Sequence, residues 1–305
     1  YQNNISNSYV GVGITIQANL DDGGVQSGFM VNEVSAGGSA MDAGVEAGYI
    51  LVAVDGEDVR TMTVTEVKKL VVGDPGTTVE LTFQLPDGSE QTMKMERRAM
   101  TVIPARGELL ENGVGYIKID NFDGGCFQAV QEQVESLRAQ GATALLFDVR
   151  NNPGGLKSEL TDLLDYLLPE GVIFHTINYA GDEDIILSDE SCVEMPMAVL
   201  VNANSYSAAE YFACALQEYG AGVVVGEQTF GKGYYQVGLN LSDGSCVNLS
   251  IGKYFTPQGE SLIDVGVSPD VEVLLDDEQA LQLASGKLAH EDDPQMQAAL
   301  DALLK

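Results

Sequence analysis

The chain has 305 residues, with 46 Asp and Glu against 15 Lys and Arg, a net charge of −31 and a hydrophobic fraction of 45%. That apolar fraction supports one or two cores and excludes a disordered chain, while the length points to two domains at roughly 100–200 residues each. The acidic surface argues against a nucleic-acid partner and against docking on anionic lipid, and no run of about 18 apolar residues is present to span a membrane.

From residue 8 to 97 the chain reads as short strands and tight turns: YVGVGITI, GFMVNEV, GYILVAVDGEDV, TTVELTFQL and SEQTMKME. Alternation at Val79, Leu81 and Phe83 and the Asp55-Gly56 and Asp87-Gly88 dipeptides carry that reading. Two helices interrupt it, a short one from Ser39 to Ala43 and one starting at Thr63 through Val67, Leu70 and Val71, capped by Gly73. Arg97 to Glu108 reads as a connector.

Beyond Gly113 strands alternate with longer helices, an α/β layer pattern. GYIKI, ATALLFDVR, GVIFHTINY, MAVLVN and GVVVGE are strands. Residues 127–140, 156–168 and 207–219 are helices, and two further strands lie near 234–241 and 247–254. The tail from 276 to 305 is acidic and partly helical, and Ala298 to Leu304 is expected to pack on the body or on a partner.

Cys126, Cys192, Cys214 and Cys246 form no CxxC pair, and His175 and His290 form no HExxH. Zinc ribbons, thioredoxin chemistry and histidine-rich metal sites are therefore excluded, and no cofactor is expected. A core of this size does not need disulfides.

Three loops follow buried strands, the place where α/β proteins build sites. The first is NNPGG, Asn151 to Gly155. The second is NANSYSAAE, Asn202 to Glu210, which runs into a helix. A serine there, Ser207, can expose its hydroxyl beside helix N-terminal amides, the geometry of a nucleophile with oxyanion donors; taken alone, the loop favours a plain N-cap, because capping serines are so common. The third, GEQTFGKGYYQ, matches most of a phosphate-cradling loop but has Gly233 where Ser or Thr must stand and runs into a strand, so nucleotide binding is rejected. Lys232 sits among Phe230, Tyr234 and Tyr235, where burial would favour a neutral amine able to act as a base, against the alternative of a solvated turn lysine. With both histidines badly placed, serine and lysine form the available pair.

The stretch from VNANSYSAAEYF to GEQTFGKGYYQ resembles the signature of the carboxyl-terminal processing peptidases, or tail-specific proteases. YVGVGI and AGVEAGYILVAVDGEDV resemble that family's PDZ domain, and FDVRNNPGG, KYFTPQGESL and GVSPDVEV its protease core, in order. The resemblance implies an α/β (α+β) chain with a PDZ domain at 1–97, a ClpP/crotonase-like protease core at 98–275 and the acidic tail at 276–305. It implies Ser207 as nucleophile, Lys232 as general base and Gln236 as the residue that orients the lysine. It further implies oxyanion donors at Ala208 and at Gly154 or Gly155, and a carboxylate-capturing loop at Gly11, Val12 and Gly13. Tyr206 stands where many members have alanine, and Ala209 where many have serine. A carboxylate near Glu218, functional in some members, reads here as a surface residue.

The activity implied is endopeptidase cleavage of proteins recognised by their C-terminal tail. The partner is thus a protein or peptide substrate, with no cofactor and no nucleic acid. The setting implied is extracytoplasmic, in a bacterial envelope, with tethering through a segment ahead of Tyr1 and a homodimer both compatible with the family. Two alternatives stand beside it: a catalytically silent relative that binds peptides or a hydrophobic ligand, and a crotonase-type acyl-CoA enzyme, which the PDZ unit and the Gly-Lys-Gly turn disfavour.

Overall fold

The computed structural model describes residues 7–20, 24–243 and 245–304. Its chain divides into two compact units, one of Ser8–Val102 and one built from Ile103 onward with Asn7 joining it.

The first unit runs β1 (Ser8–Gly11), β2 (Ile14–Leu20), β3 (Gln26–Val34), α1 (Ser39–Asp42), β4 (Ile50–Val54), β5 (Glu57–Asp58), α2 (Val64–Val71), β6 (Thr78–Gln84), β7 (Glu90–Glu96) and β8 (Arg98–Thr101). An antiparallel sheet in the order β2-β3-β4-β6-β7 encloses Phe29, Leu51, Leu81, Phe83 and Met95 with Val67 of α2. Thr63 caps α2 in a reciprocal box with Glu66, as a Thr-x-x-Glu start should. The helix closes at Val72 in an extended conformation, one residue before the expected glycine. β1 pairs with β8 from Ser8↔Thr101 to Gly11↔Arg98, so residues read as connector are strand and belong to this unit. A strand of Arg-Ala-Met-Thr has too little apolar alternation to show in the sequence.

The second unit runs β9 (Ala105–Leu109), β10 (Val114–Ile119), α3 (Cys126–Ala139), β11 (Ala144–Asp148), α4 (Lys157–Leu167), β12 (Gly171–Asn178), β13 (Glu183–Ser188), β14 (Met197–Val201), α5 (Ala208–Glu218), β15 (Gly222–Gly226), β16 (Tyr234–Asn240), β17 (Cys246–Phe255), β18 (Val271–Glu272), α6 (Asp277–Ala284) and α7 (Pro294–Leu303). The central sheet has the order β18-β15-β14-β11-β10-β9, parallel except for β9. Its central strands are buried on both faces, which explains their continuous apolar runs. Leu145 and Phe147 meet α3, α4 and α5 on one side, while Leu146, Ala198 and Leu200 meet Met296 and Ala299 of α7 on the other. The tail therefore packs on the body, through α7.

A second sheet, β13-β12-β17-β16, is antiparallel. Its member β13 escaped the sequence reading because EDIILS begins with two carboxylates and follows a turn. The four cysteines are free. No helix among the described residues is long and apolar enough to cross a membrane.

Candidate active site

The neighbours β15, β14 and β11 end side by side, so the loops after them open together. Hydrogen bonds tie these loops into one body. Asn151 N–H donates to Asn202 Oδ1 at 3.0 Å and Asn202 Nδ2 returns to Asn151 Oδ1 at 3.0 Å. Tyr206 N–H donates to the Asn152 carbonyl at 3.2 Å, and Phe230 N–H to the Ser205 carbonyl at 3.2 Å.

Ser207 stands just ahead of α5 with φ 61° and ψ −121°, a conformation rarely adopted by a residue with a side chain. The helix behind it is buried from Ala208 through Leu216, which makes it a rigid mount. Ala208 N–H, at the first turn of α5, donates to no described residue, as expected of a helix start.

Gly154 lies against this turn. Its φ is +85°, and a Cβ on it would come within 2.8 Å of Ser207 Cβ and of Ala208 N. Its N–H donates to Asn152 Oδ1 at 2.8 Å. At Gly155 a Cβ would fall 2.3 Å from the Phe122 carbonyl carbon, and its N–H has no partner among the described residues. Both positions thus require glycine.

The residue that joins the two expected catalytic positions is Glu210, which the sequence reading did not single out. It is fully buried. Its Oε2 accepts the N–H of Ser207 at 2.9 Å and the N–H of Lys232 at 3.0 Å. Its Oε1 accepts the Thr229 hydroxyl and the Gly231 N–H, both at 2.6 Å. Four donors compensate the buried carboxylate and weld the serine turn to the lysine turn. The signal was present: Ser207-x-x-Glu210 is the spacing of a capping box.

Lys232 is half-buried, and its Nζ lies 5.9 Å from the centre of the Tyr206 ring. Tyr206 in turn packs on Phe230, ring centres 5.5 Å apart. No hydrogen bond joins Ser207 Oγ to Lys232 Nζ among the described residues, so the amine faces the aromatic ring in this arrangement. Gln236 is exposed on β16, where a register shift precedes it, and its amide reaches Ser250 Oγ at 3.4 Å. Glu218 accepts the Gln258 N–H at 2.8 Å, a contact that holds the following loop.

A second buried network underlies the first loop. Arg150 is 2% exposed. It forks onto Asp148, with Nη2 to Oδ2 at 2.7 Å and Nε to Oδ1 at 3.1 Å, and reaches Asp293 Oδ2 at 2.7 Å through Nη1. Lys118 and Tyr116 also bond Asp148, at 3.1 and 2.9 Å. Burial by itself would raise the Asp148 carboxyl, but Arg150 and then Lys118 outweigh it and hold it well below the usual carboxylate range. Asp293 is also the N-cap of α7, so the tail helix is fastened to the base of the NNPGG loop.

In the first unit, Gly11 at the end of β1 and Val12 and Gly13 between β1 and β2 are buried. The carbonyls of Val12 and Gly13 accept the N–H groups of Ala40 and Ser35 at 2.9 Å, while their own N–H groups donate to no described residue. β2 is an edge strand of its sheet, and edge strands can accept a further strand.

The profile of peptidase family S41 matches residues 113–273, and a PDZ domain profile matches residues 30–85. A carboxyl-terminal-processing protease of Synechocystis sp. is 33% identical over 96% of this chain and 68% of its own length. The C-terminal processing peptidase of the Tetradesmus obliquus chloroplast is 32% identical over 87% of this chain and 60% of its own. The carboxy-terminal processing protease CtpA of Bacillus subtilis is 30% identical over 91% and 59%. The chain thus spans between about three fifths and two thirds of these relatives. Among solved structures, the photosystem II D1 C-terminal processing protease is 30% identical, with a TM-score of 0.54 over 95% of this chain and 78% of that one. A Bacteroides fragilis protein, at 18% identity, shares the fold with a TM-score of 0.60 over 97% of this chain and 82% of that one.

Proposed function

Because this chain belongs to peptidase family S41, the carboxyl-terminal processing serine proteases, and carries a PDZ unit, we propose that it is an endopeptidase acting through Ser207 and Lys232 on proteins recognised by their C-terminal tails. The observation that carries this reading is the Glu210 carboxylate, which accepts the main-chain N–H of Ser207 at 2.9 Å and of Lys232 at 3.0 Å. A buried acid spent on registering one serine against one lysine is intelligible if the two act together.

In the proposed reaction the Lys232 amine turns from the Tyr206 ring and, as general base, takes the Ser207 proton. Ser207 Oγ bonds to the scissile carbonyl carbon, and the oxyanion rests on the Ala208 and Gly155 N–H groups, with Gly154 giving the close approach. The C–N bond breaks as Lys232 returns its proton to the leaving amine. Water, deprotonated by Lys232, then hydrolyses the acyl ester and Ser207 regains its proton. No metal or cofactor enters these steps. Gln236 would orient the lysine only after leaving Ser250.

The PDZ unit would add an extended substrate tail to the edge of β2 and hold its terminal carboxylate at the Val12 and Gly13 amides. In a chain of charge −31, that carboxylate is repelled at range, and screening over about 8 Å at physiological salt limits the repulsion. We place the reaction outside the cytoplasm, where family members of envelope type work, with membrane tethering and a homodimer as parts of the same proposal.

One observation favours a second reading, a silent peptide-binding relative: Lys232 Nζ lies over the Tyr206 ring and makes no hydrogen bond to Ser207 among the described residues. Cleavage of an unfolded polypeptide with an apolar C-terminus decides between them. Wild type should cleave while Ser207→Ala and Lys232→Ala do not; full cleavage by either variant rules out the pair.

A further inference from the structure

We propose that Tyr254 is a positioning residue for the Ser207–Lys232 pair, holding the lysine turn by its main-chain N–H and by its hydroxyl; this rests on the serine–lysine reading above. Tyr254 lies near the end of β17, 4% exposed. Its ring packs between Phe174 and Tyr211, with ring centres 6.0 and 5.8 Å away. Its N–H donates to the Gly233 carbonyl at 3.0 Å. Its hydroxyl donates to the Lys232 carbonyl. One residue of the second sheet thus grips two successive carbonyls of the Gly-Lys-Gly turn.

The phenol itself cannot be the base. Burial, then the nearby Glu210, push its ionisation far above the ordinary tyrosine range, so it stays neutral.

Tyr254 and Glu210 act on opposite sides of the same turn. Glu210 takes the Lys232 N–H and Tyr254 serves the Lys232 carbonyl, which fixes the peptide units on both flanks of the lysine and leaves its side chain as the mobile part.

The test compares Tyr254→Phe with Tyr211→Phe in the whole chain. Each variant removes one buried phenol hydroxyl bonded to a main-chain carbonyl, since Tyr211 donates to Phe255 O at 2.9 Å, and each keeps the ring. Ser207 phosphonylation by a small fluorophosphonate and the kcat and KM for one peptide are measured, with thermal melts to confirm folding. Tyr254→Phe should slow labelling and lower kcat about tenfold with KM unchanged, the effect of one lost hydrogen bond on a reacting geometry. Tyr211→Phe should stay within about twofold in labelling. Wild-type labelling by Tyr254→Phe, or an equal fall in both variants, overturns the proposal while leaving the pair itself standing. Should Tyr254→Phe not fold, Tyr254→His, which keeps a ring donor, must retain more labelling than Tyr254→Leu, and equal rates overturn the proposal. A wild-type chain that is not labelled at Ser207 takes down both readings.

Discussion

Gly154 stands against Ser207 so closely that a Cβ on the glycine would come within 2.8 Å of the serine's own Cβ. The contact is with backbone as well as side chain, because Ala208 N and Tyr206 O lie at the same 2.8 Å. Neither turn can retreat, since Gly154 O accepts the Phe122 N–H at 2.8 Å and the serine turn is tied to Glu210. Gly154→Ala should therefore displace the serine turn and lower kcat by about 100-fold or more, the usual result of a misplacement near 1 Å. The left-handed φ of +85° adds a stability loss of about 1 kcal/mol. Steady-state kinetics and a thermal melt check the two effects separately.

Glu210→Gln should be more damaging than its size suggests. The amide replaces one accepting oxygen with a donor facing N–H or O–H groups, and the buried donors left without partners cost about 3 kcal/mol. At roughly 2–4 °C per kcal/mol for a unit of this size, the midpoint should fall by about 10 °C. Activity should be lost even well below that midpoint, because the serine and lysine turns share this one acid. A variant with normal stability and normal kcat would show the junction to be incidental.

The parts of this account that were legible in the sequence are local. Buried strands, the α5 serine turn and the three loops follow from apolar runs, small residues and glycine. The resemblance supplied the PDZ and protease assignments, and the family comparisons agree with it. What the sequence hid is held by distant partners. β8 exists because β1 is there to pair with it. β13 is acidic and half-exposed, and only its place beside β12 makes it a strand. Asp293 meets Arg150 across 143 positions, and no local pattern announces that bond. Glu210 was readable as a capping partner of Ser207, but its hold on Thr229, Gly231 and Lys232 depends on the fold.

Asp148 gives the pH dependence its sign. Its folded carboxyl binds a proton less tightly than the unfolded one, so its contribution is complete above the unfolded value near pH 4 and is lost as pH falls toward the lower folded value. Asp148→Asn leaves Arg150 buried with a weakened partner and should cost about 3–5 kcal/mol at pH 7. The gap between wild type and variant should narrow steadily from about pH 4 downward. Urea unfolding at a series of pH values measures it; a gap independent of pH would contradict the assigned pairing.

Phe230 is 66% exposed although it is a large apolar residue, and its ring packs at a tilt of 50° on Tyr206, next to Lys232. Such a pair suits an apolar substrate side chain near the scissile bond. Phe230→Ala should raise KM about fivefold for peptides with a bulky apolar residue there, leave KM for alanine peptides unchanged, and leave the melting temperature unchanged. A uniform change across peptides would remove the subsite.

Whether Ser207 is a nucleophile activated by Lys232 is read most directly from the rate and site of covalent labelling by a fluorophosphonate, followed by intact-protein mass and peptide mapping. One adduct is expected, on Ser207, forming at least about 100-fold more slowly in Lys232→Ala. An adduct on another residue, or a Lys232→Ala chain that labels at the wild-type rate, would contradict that activation.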